Sequence, residues 1–291
     1  MKGWAYALIA IAATLWGVVS LFVKGLTFYG FSALQIVAIR GGIGALILTV
    51  YLAATDRRLL AIKPADSKYF VGTGIFSIVF FNWCYFTAIR DTSVAVAASL
   101  LYTAPAFVAV LSRFFFREEL TGRKAGALAA TFLGSMLVVG VLPGFKGAIS
   151  MSGLLAGLGA GLGYALYSIF GKFALARYRP LTVTTYTFLF AAVALLPVSG
   201  LWDTRELFRQ WPVIGYCAGF GLLSTVAAYL CYTTALNYIE PGRAAVAATL
   251  EPVVAALVGV AIFGEALSGW QIAGMALIIA AVAAVRKNDD S

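Results

Sequence analysis

Two stretches decide the architecture: Leu101 to Gly122 (LYTAPAFVAVLSRFFFREELTG) and Ala248 to Gly269 (ATLEPVVAALVGVAIFGEALSG). At a constant offset of 147 residues Pro105 falls on Pro252, Glu118 on Glu265, Leu120 on Leu267, Thr121 on Ser268 and Gly122 on Gly269. A Pro-x12-Glu-x-Leu-[Thr/Ser]-Gly pattern therefore occurs twice. The same offset carries residues 84 to 89 (CYFTAI) onto 231 to 236 (CYTTAL), and a one-residue shift carries Ser20, Phe22 and Lys24 onto Ser168, Phe170 and Lys172. Coincidence in Ala-rich and Leu-rich segments is a poor account of matches in Pro, Glu, Cys and Tyr, so the series reads as a duplication.

The residues around these stretches set the solvent. Of 291 residues, 62% are hydrophobic and 11% charged, against about half and a quarter in a soluble domain. So apolar a chain excludes both disorder and a water-solvated fold, and implies a lipid bilayer as partner. A hydrocarbon core about 30 Å thick takes roughly 20 helical residues to cross. Apolar runs of that order fall at Gly3 to Val23, Ala33 to Ala54, Tyr69 to Ile89, Val94 to Phe116 and Ala125 to Leu142, then at Gly153 to Leu175, Leu181 to Val198, Val213 to Leu236, Ala244 to Phe263 and Gln271 to Val285. The first run is longer than a signal-peptide core and reads as a span. The expectation is an all-α integral membrane protein of ten helices in two five-helix units, residues 1–147 and 148–291.

An odd number of spans per unit turns the second unit over, so the repeats are expected to be inverted. Such halves recur in transporters, where two packings of similar energy expose a midplane site to either side in turn. With both termini placed inside, 15 of the 21 Lys and Arg fall in inside loops, among them Lys2, Arg57, Arg58, Arg123, Lys124, Lys172 and Arg243. Five, namely Lys24, Arg90, Lys146, Arg205 and Arg209, fall outside, and of the cations Arg40 alone lies deep within a span. This bias accounts for the net charge of +9 without nucleic acid, and predicts cytoplasmic termini in an inner (plasma) membrane. The segment Trp202 to Pro212 reads as an interfacial anchor through its Trp, Leu and Phe.

The chain resembles the ten-helix EamA-type members of the drug/metabolite transporter superfamily, and within it the YddG-type amino-acid exporters. The resemblance spans the whole chain and rests on the two Pro-x12-Glu-x-Leu-[Thr/Ser]-Gly segments, on Leu250-Glu251-Pro252 and on Leu15-Trp16-Gly17. It implies a central cavity lined by helices one, three and four of each repeat, a peripheral fifth helix, and export of amino acids, aromatic ones included. Direction of transport comes from the resemblance and from no residue.

Several residues are candidates for transport. Pro105 and Pro252, mid-span in equivalent places, are either paired gate hinges or static kinks. Arg40 and Glu251 are charges deep in hydrocarbon, where an ionisable side chain marks a functional site by default. At the repeat offsets they fall on Thr187 or Phe188 and on Ala104, so neither has a charged twin. Glu251 suits a proton or a substrate ammonium; Arg40 suits a carboxylate, a pairing with Glu251, or a structural tie to carbonyls. A polar and aromatic stripe recurs at helical spacing: Trp16 and Ser20; Asn82 and Tyr85; Ser99, Tyr102 and Thr103; Tyr164, Tyr167 and Ser168; Tyr229 and Tyr232; Thr249. Aromatic walls with sparse hydroxyls suit an amphipathic organic solute, and the same residues also serve interhelical packing. Gly153, Gly157 and Gly161 form a small-residue ridge for close helix approach. Glu118, Glu119 and Glu265 read as helix-end turns or caps.

Other chemistry is poorly supplied. The sequence has 0 His, which removes the commonest general base and metal ligand. Cys84, Cys217 and Cys231 are scattered in apolar runs and suggest no disulfide or thiolate metal site. No cofactor is expected, and no Walker segment supports a primary pump. An intramembrane enzyme, a channel, and a carrier for another metabolite or drug class are the alternatives. The sequence sets no oligomeric state, and a monomer is sufficient.

Overall fold

The computed structural model describes residues 3–144 and 150–287. Lys2, Lys146 and the expected boundary at 147 and 148 lie outside the described residues. Among those described the chain is helical, with no strand. Ten long helices follow in order: α1 Gly3–Phe28, α2 Ala33–Thr55, α3 Pro64–Asp91, α4 Val94–Phe116, α5 Gly122–Val138, α6 Met151–Leu175, α7 Pro180–Val198, α8 Trp211–Tyr238, α9 Pro241–Phe263 and α10 Gly269–Arg286. All but α5 are long and apolar enough to cross a membrane, which gives nine candidate spans among the described residues.

The fifth element differs from the expected Ala125 to Leu142. It starts earlier because Thr121 Oγ1 accepts from the Lys124 amide at 3.3 Å and caps the helix. It stops at Val138 because Gly140 takes φ +79° and Pro143 follows. Its 17 residues rise about 26 Å, slightly less than the hydrocarbon core. The α2 and α10 starts carry reciprocal caps. Ser32 accepts from the Gln35 amide while Gln35 accepts from Ser32, and Ser268 and Gln271 do the same.

Several interruptions recur at equivalent places in the two halves. In α3 the turns widen to π geometry over Val71–Val79, and in α8 over Phe220–Ala227. Helix α4 breaks after Leu101 and α9 after Ala248. Both α4 and α9 end on a left-handed residue, Arg117 (φ +57°) and Gly264 (φ +68°), 147 positions apart. Pro105 and Pro252 sit just beyond the breaks, in the first turn of each second half-helix. A proline there gives up an amide that has no intrahelical partner anyway, so it fixes where the half-helix begins. The mid-span kink expected of each proline is thus a break two to three residues upstream.

Helix packing follows small residues. The main neighbours are α1 with α8 and α9, α6 with α3 and α4, α2 with α7, and α5 with α10. Gly72 leaves room for the Phe170 ring, and Gly219, 147 residues on, leaves room for Phe22. Gly134 and Gly274 bring α5 and α10 together: a Cβ on either would lie 2.9 Å or 2.6 Å from the other's carbonyl oxygen. The expected glycine ridge on α6 does allow close approach, and its neighbour at Gly157 and Gly161 is α4. Gly157 faces Leu100, and Gly161 faces Thr103 and the Leu100 carbonyl. In the loop after α7 and at the start of α8, Trp202 and Trp211 stand 77% and 82% exposed, as an interfacial anchor requires. Leu207 and Phe208 do not; Phe208 packs on Phe31 at 5.2 Å between centroids, because the Leu201–Arg209 turn folds its apolar side onto α2.

Candidate functional site

The interior between α1, α6 and α8 is an aromatic box. Trp16 lies 5.2 Å from Tyr229, 5.3 Å from Tyr232 and 6.3 Å from Tyr164 between ring centroids. Tyr167 meets Tyr229 edge-on at 5.1 Å, and Phe188 meets it at 5.0 Å. Edge-to-face rings fix one another's orientation. Hydroxyls that would otherwise be stranded in hydrocarbon are paired within the box: Tyr167 Oη with Thr233 Oγ1 at 2.6 Å, and Ser168 Oγ with Tyr232 Oη at 2.7 Å.

The two intramembrane charges stand at opposite ends of this box. The Tyr164 hydroxyl donates to Glu251 Oε2 at 3.4 Å, and Tyr164 leads through Trp16 to Tyr229. The Arg40 guanidinium carbon lies 5.2 Å from the Tyr229 ring and 5.5 Å from Phe220, and its Nη2 donates to the Ser224 carbonyl at 3.5 Å. Arg40 and Glu251 do not pair; an aromatic row separates them. The carbonyl tie expected for Arg40 exists but is long, and Arg40 Nε, Trp16 Nε1, Ser224 Oγ and Ser99 Oγ are buried without a hydrogen-bond partner. Buried donors left unsatisfied cost about 1–3 kcal/mol each, which is tolerable where a ligand supplies the missing acceptor.

Two cavities open on this row. One of about 20 Å³ is lined by Trp16, Ser77, Tyr164, Tyr167, Tyr229 and Tyr232, and one of about 10 Å³ by Tyr102, Pro105, Tyr164, Ala245, Thr249 and Glu251. Each has the room of a single water, so anything larger enters only after the helices part. Thr249 Oγ1 donates to the Val246 carbonyl at 2.5 Å and Thr103 Oγ1 to that of Leu100 at 2.6 Å, satisfying backbone at the α9 and α4 breaks. Asn82 is spent on the Ile78 carbonyl, and Tyr85 stacks on Phe81 at 5.7 Å. Ser20 is half-buried on α1 and lines neither cavity.

Sequence reasoning missed the charged clusters at one end of the molecule. Glu118, read as a helix-end turn or cap, has a side chain only 5% exposed. Its carboxylate accepts from Lys124 Nζ at 2.9 Å and from the Gly242 amide at 3.2 Å, which ties the end of α4 to the start of α9. Lys124 and Arg243 both reach Glu240 Oε2, at 2.7 Å and 2.8 Å. Burial pushes the Glu240 carboxyl up, but these two cations outweigh it and hold the group below the ordinary carboxylate range. Lys172 donates to three carbonyls where α8 ends, and charge of that sign at a helix C-terminus is favourable. These groups border a cleft of about 420 Å³. Beside them Asp66, 2% exposed, accepts from Arg177 Nη1 and Tyr178 Oη at 2.7 Å each. No spacing rule links residues 124 positions apart; the one available signal was Glu118 recurring as Glu265.

The arrangement is that of a multi-pass membrane protein with a narrow, aromatic-lined polar centre. A sequence profile of the EamA-like transporter family matches residues 3–140 and again 151–286, so the chain belongs to that family. It is 29% identical to an uncharacterized transporter of Archaeoglobus fulgidus over 95% of this chain and 94% of that one. It is 26% identical to the threonine/homoserine exporter RhtA of Escherichia coli over 84% of this chain and 79% of that one. A solved crystal structure superimposes with a TM-score of 0.79 at 20% identity, covering 98% of this chain and 96% of that one, and shares the fold. The chain is thus of a transporter family.

Proposed function

We propose that the protein is a secondary carrier that moves amino acids out of the cytoplasm across the inner membrane by alternating access between two inverted five-helix halves. One observation carries the substrate class: a carboxylate and a guanidinium, unpaired with each other, face the two ends of one aromatic row with buried donors to spare. A zwitterion complements that row, its ammonium meeting Glu251 and Tyr164 and its carboxylate meeting Arg40. Charge-assisted bonds of this kind are the strong ones in a site shielded from water. The ring-lined walls support aromatic side chains; the substrates named for RhtA support small hydroxylated ones. Equivalent π segments, breaks and left-handed ends in the two halves support the inverted repeat, with α5 as the tenth span.

Counterflow of labelled tryptophan, phenylalanine, threonine and homoserine in proteoliposomes tests the reading. Saturable exchange of at least one, abolished in Glu251→Gln, is the expected result. Exchange that ignores Glu251 and Arg40 alike overturns the zwitterion site, and liposomes inert to the whole panel favour a carrier of another metabolite class.

A further inference from the structure

Lys24 and Lys172 hold equivalent places near the ends of α1 and α6, yet the structure keeps them in different company. Lys172 Nζ donates to the carbonyls of Leu236 at 2.7 Å, Ile239 at 3.1 Å and Asn237 at 3.5 Å, clasping the end of α8. The equivalent carbonyls for Lys24 belong to Ile89, Thr92 and Arg90 at the end of α3. Lys24 Nζ instead lies 3.5 Å from Glu265 Oε1 and 3.6 Å from the centroid of the Phe263 ring. Glu265 and Phe263 are the equivalents of Glu118 and Phe116. Glu118 and Phe116 border the same cleft as Lys172, where Glu118 is turned toward Lys124 and the Gly242 amide. Each lysine thus has two partner sets built into the fold, a carbonyl cradle and an acidic-aromatic pair, and each uses the set that its twin does not.

Burial follows the same division. The Glu118 side chain is 5% exposed and that of Glu265 59% exposed. Ala245 on α9 is 3% exposed, while its equivalent Ala98 on α4 is half-buried. At the end carrying Lys172 the α4 and α9 side chains Glu118 and Ala245 are thus buried, and at the end carrying Lys24 their equivalents Glu265 and Ala98 are more exposed.

We infer that the two lysines exchange partners reciprocally when the carrier changes sides. In the opposite state Lys172 leaves the α8 carbonyls for Glu118 and Phe116, and Lys24 leaves Glu265 and Phe263 for the α3 carbonyls. Side chains bistable between two sets of contacts are what two-state packing requires, since a packed interior switches between arrangements and does not deform continuously. The exchange rests on the alternating-access reading above and adds the residues that set the balance between its two states. Lys172 in its carbonyl cradle stabilises the state described here; Lys24 in its own stabilises the other.

The test reads accessibility, not transport. Ala245→Cys, in a background with Cys84, Cys217 and Cys231 replaced by Ala, reports opening at the Lys172 end through its rate of maleimide labelling. Lys172→Met is expected to raise that rate about fivefold or more, and Lys24→Met to lower it by a similar factor, coupling free energies of ordinary size. The double variant returns toward the parent. Lys172→Arg, which keeps a donor, stays near the parent and separates loss of the clasp from loss of the fold. A Lys24→Met rate equal to or above the parent overturns the exchange. Counterflow on the same samples keeps the two ideas apart: opposed labelling shifts without amino-acid transport leave the exchange standing and remove the substrate reading, whereas flat labelling with intact transport does the reverse.

Discussion

At the scale of single residues, the molecule concentrates cost where chemistry is expected. Arg40 is held by one long bond to the Ser224 carbonyl and by two ring faces, with Nε buried and unpartnered. Packing alone would favour an apolar residue there, because a charged group short of partners destabilises a low-dielectric interior. Arg40→Met is therefore expected to leave thermal stability equal or higher while counterflow falls at least about tenfold, the size of one lost charge-assisted bond. A variant that transports normally makes Arg40 a structural tie. Gly242 gives a sharper case. A Cβ there would run into Glu118 Oε1, so Gly242→Ala evicts the carboxylate from the α9 start. Loss of one hydrogen bond to a charged group predicts about 1.5–3 kcal/mol of stability, seen as a lower melting temperature in detergent. Glu240 brings pH dependence. Its folded carboxyl lies below the usual range because of Lys124 and Arg243, so the stability it contributes is fully present above the unfolded value near about 4.3 and is lost as pH falls through the lower folded value. Glu240→Gln should flatten the acid limb of a melting-temperature profile; an unchanged limb assigns acid sensitivity elsewhere.

At the scale of elements, the interruptions matter more than the helices. A break after Leu101 and another after Ala248 divide α4 and α9, and the Thr103 and Thr249 hydroxyls satisfy carbonyls there. Lipid supplies no such partners, so an irregular turn at depth must be buried in protein, as these are. Pro105 and Pro252 were legible as paired, and the break that precedes each of them was not. They start half-helices and do not bend whole ones, because the turn is already broken before the proline is reached. Pro105→Ala with Pro252→Ala is accordingly expected to preserve the breaks and to change exchange rates by less than about threefold, below one tenfold step in barrier. A collapse of transport in the double variant restores the hinge. The glycine ridge of α6 was read correctly, since a four-residue spacing fixes the face whatever the partner. Gly161→Leu should unseat α4 and lower the melting temperature by the overpacking cost of about 1–3 kcal/mol or more.

At the scale of the whole molecule, the two halves share a plan and differ in state. Gly72 admits Phe170 and Gly219 admits Phe22, the same contact made in each direction across the halves. The charged ends break that likeness, with Glu118 sealed in and Glu265 exposed. A C-terminal fluorescent-protein fusion tests the expected orientation: cytoplasmic termini predict a bright fusion, and a dark one at full expression reverses the topology.

Composition, span-length runs and the 147-residue offset determined that the chain lies in lipid and is built from two related units. These are properties of local hydrophobicity and of residue identity along the chain, which a sequence carries directly. The pairing of Glu118 with Gly242, the clasp of Lys172 on α8 and the aromatic row between Arg40 and Glu251 were decided only by tertiary structure. Each joins residues far apart in sequence, and which twin is engaged depends on the state the packing has settled into, a choice that two related halves leave open until the helices meet.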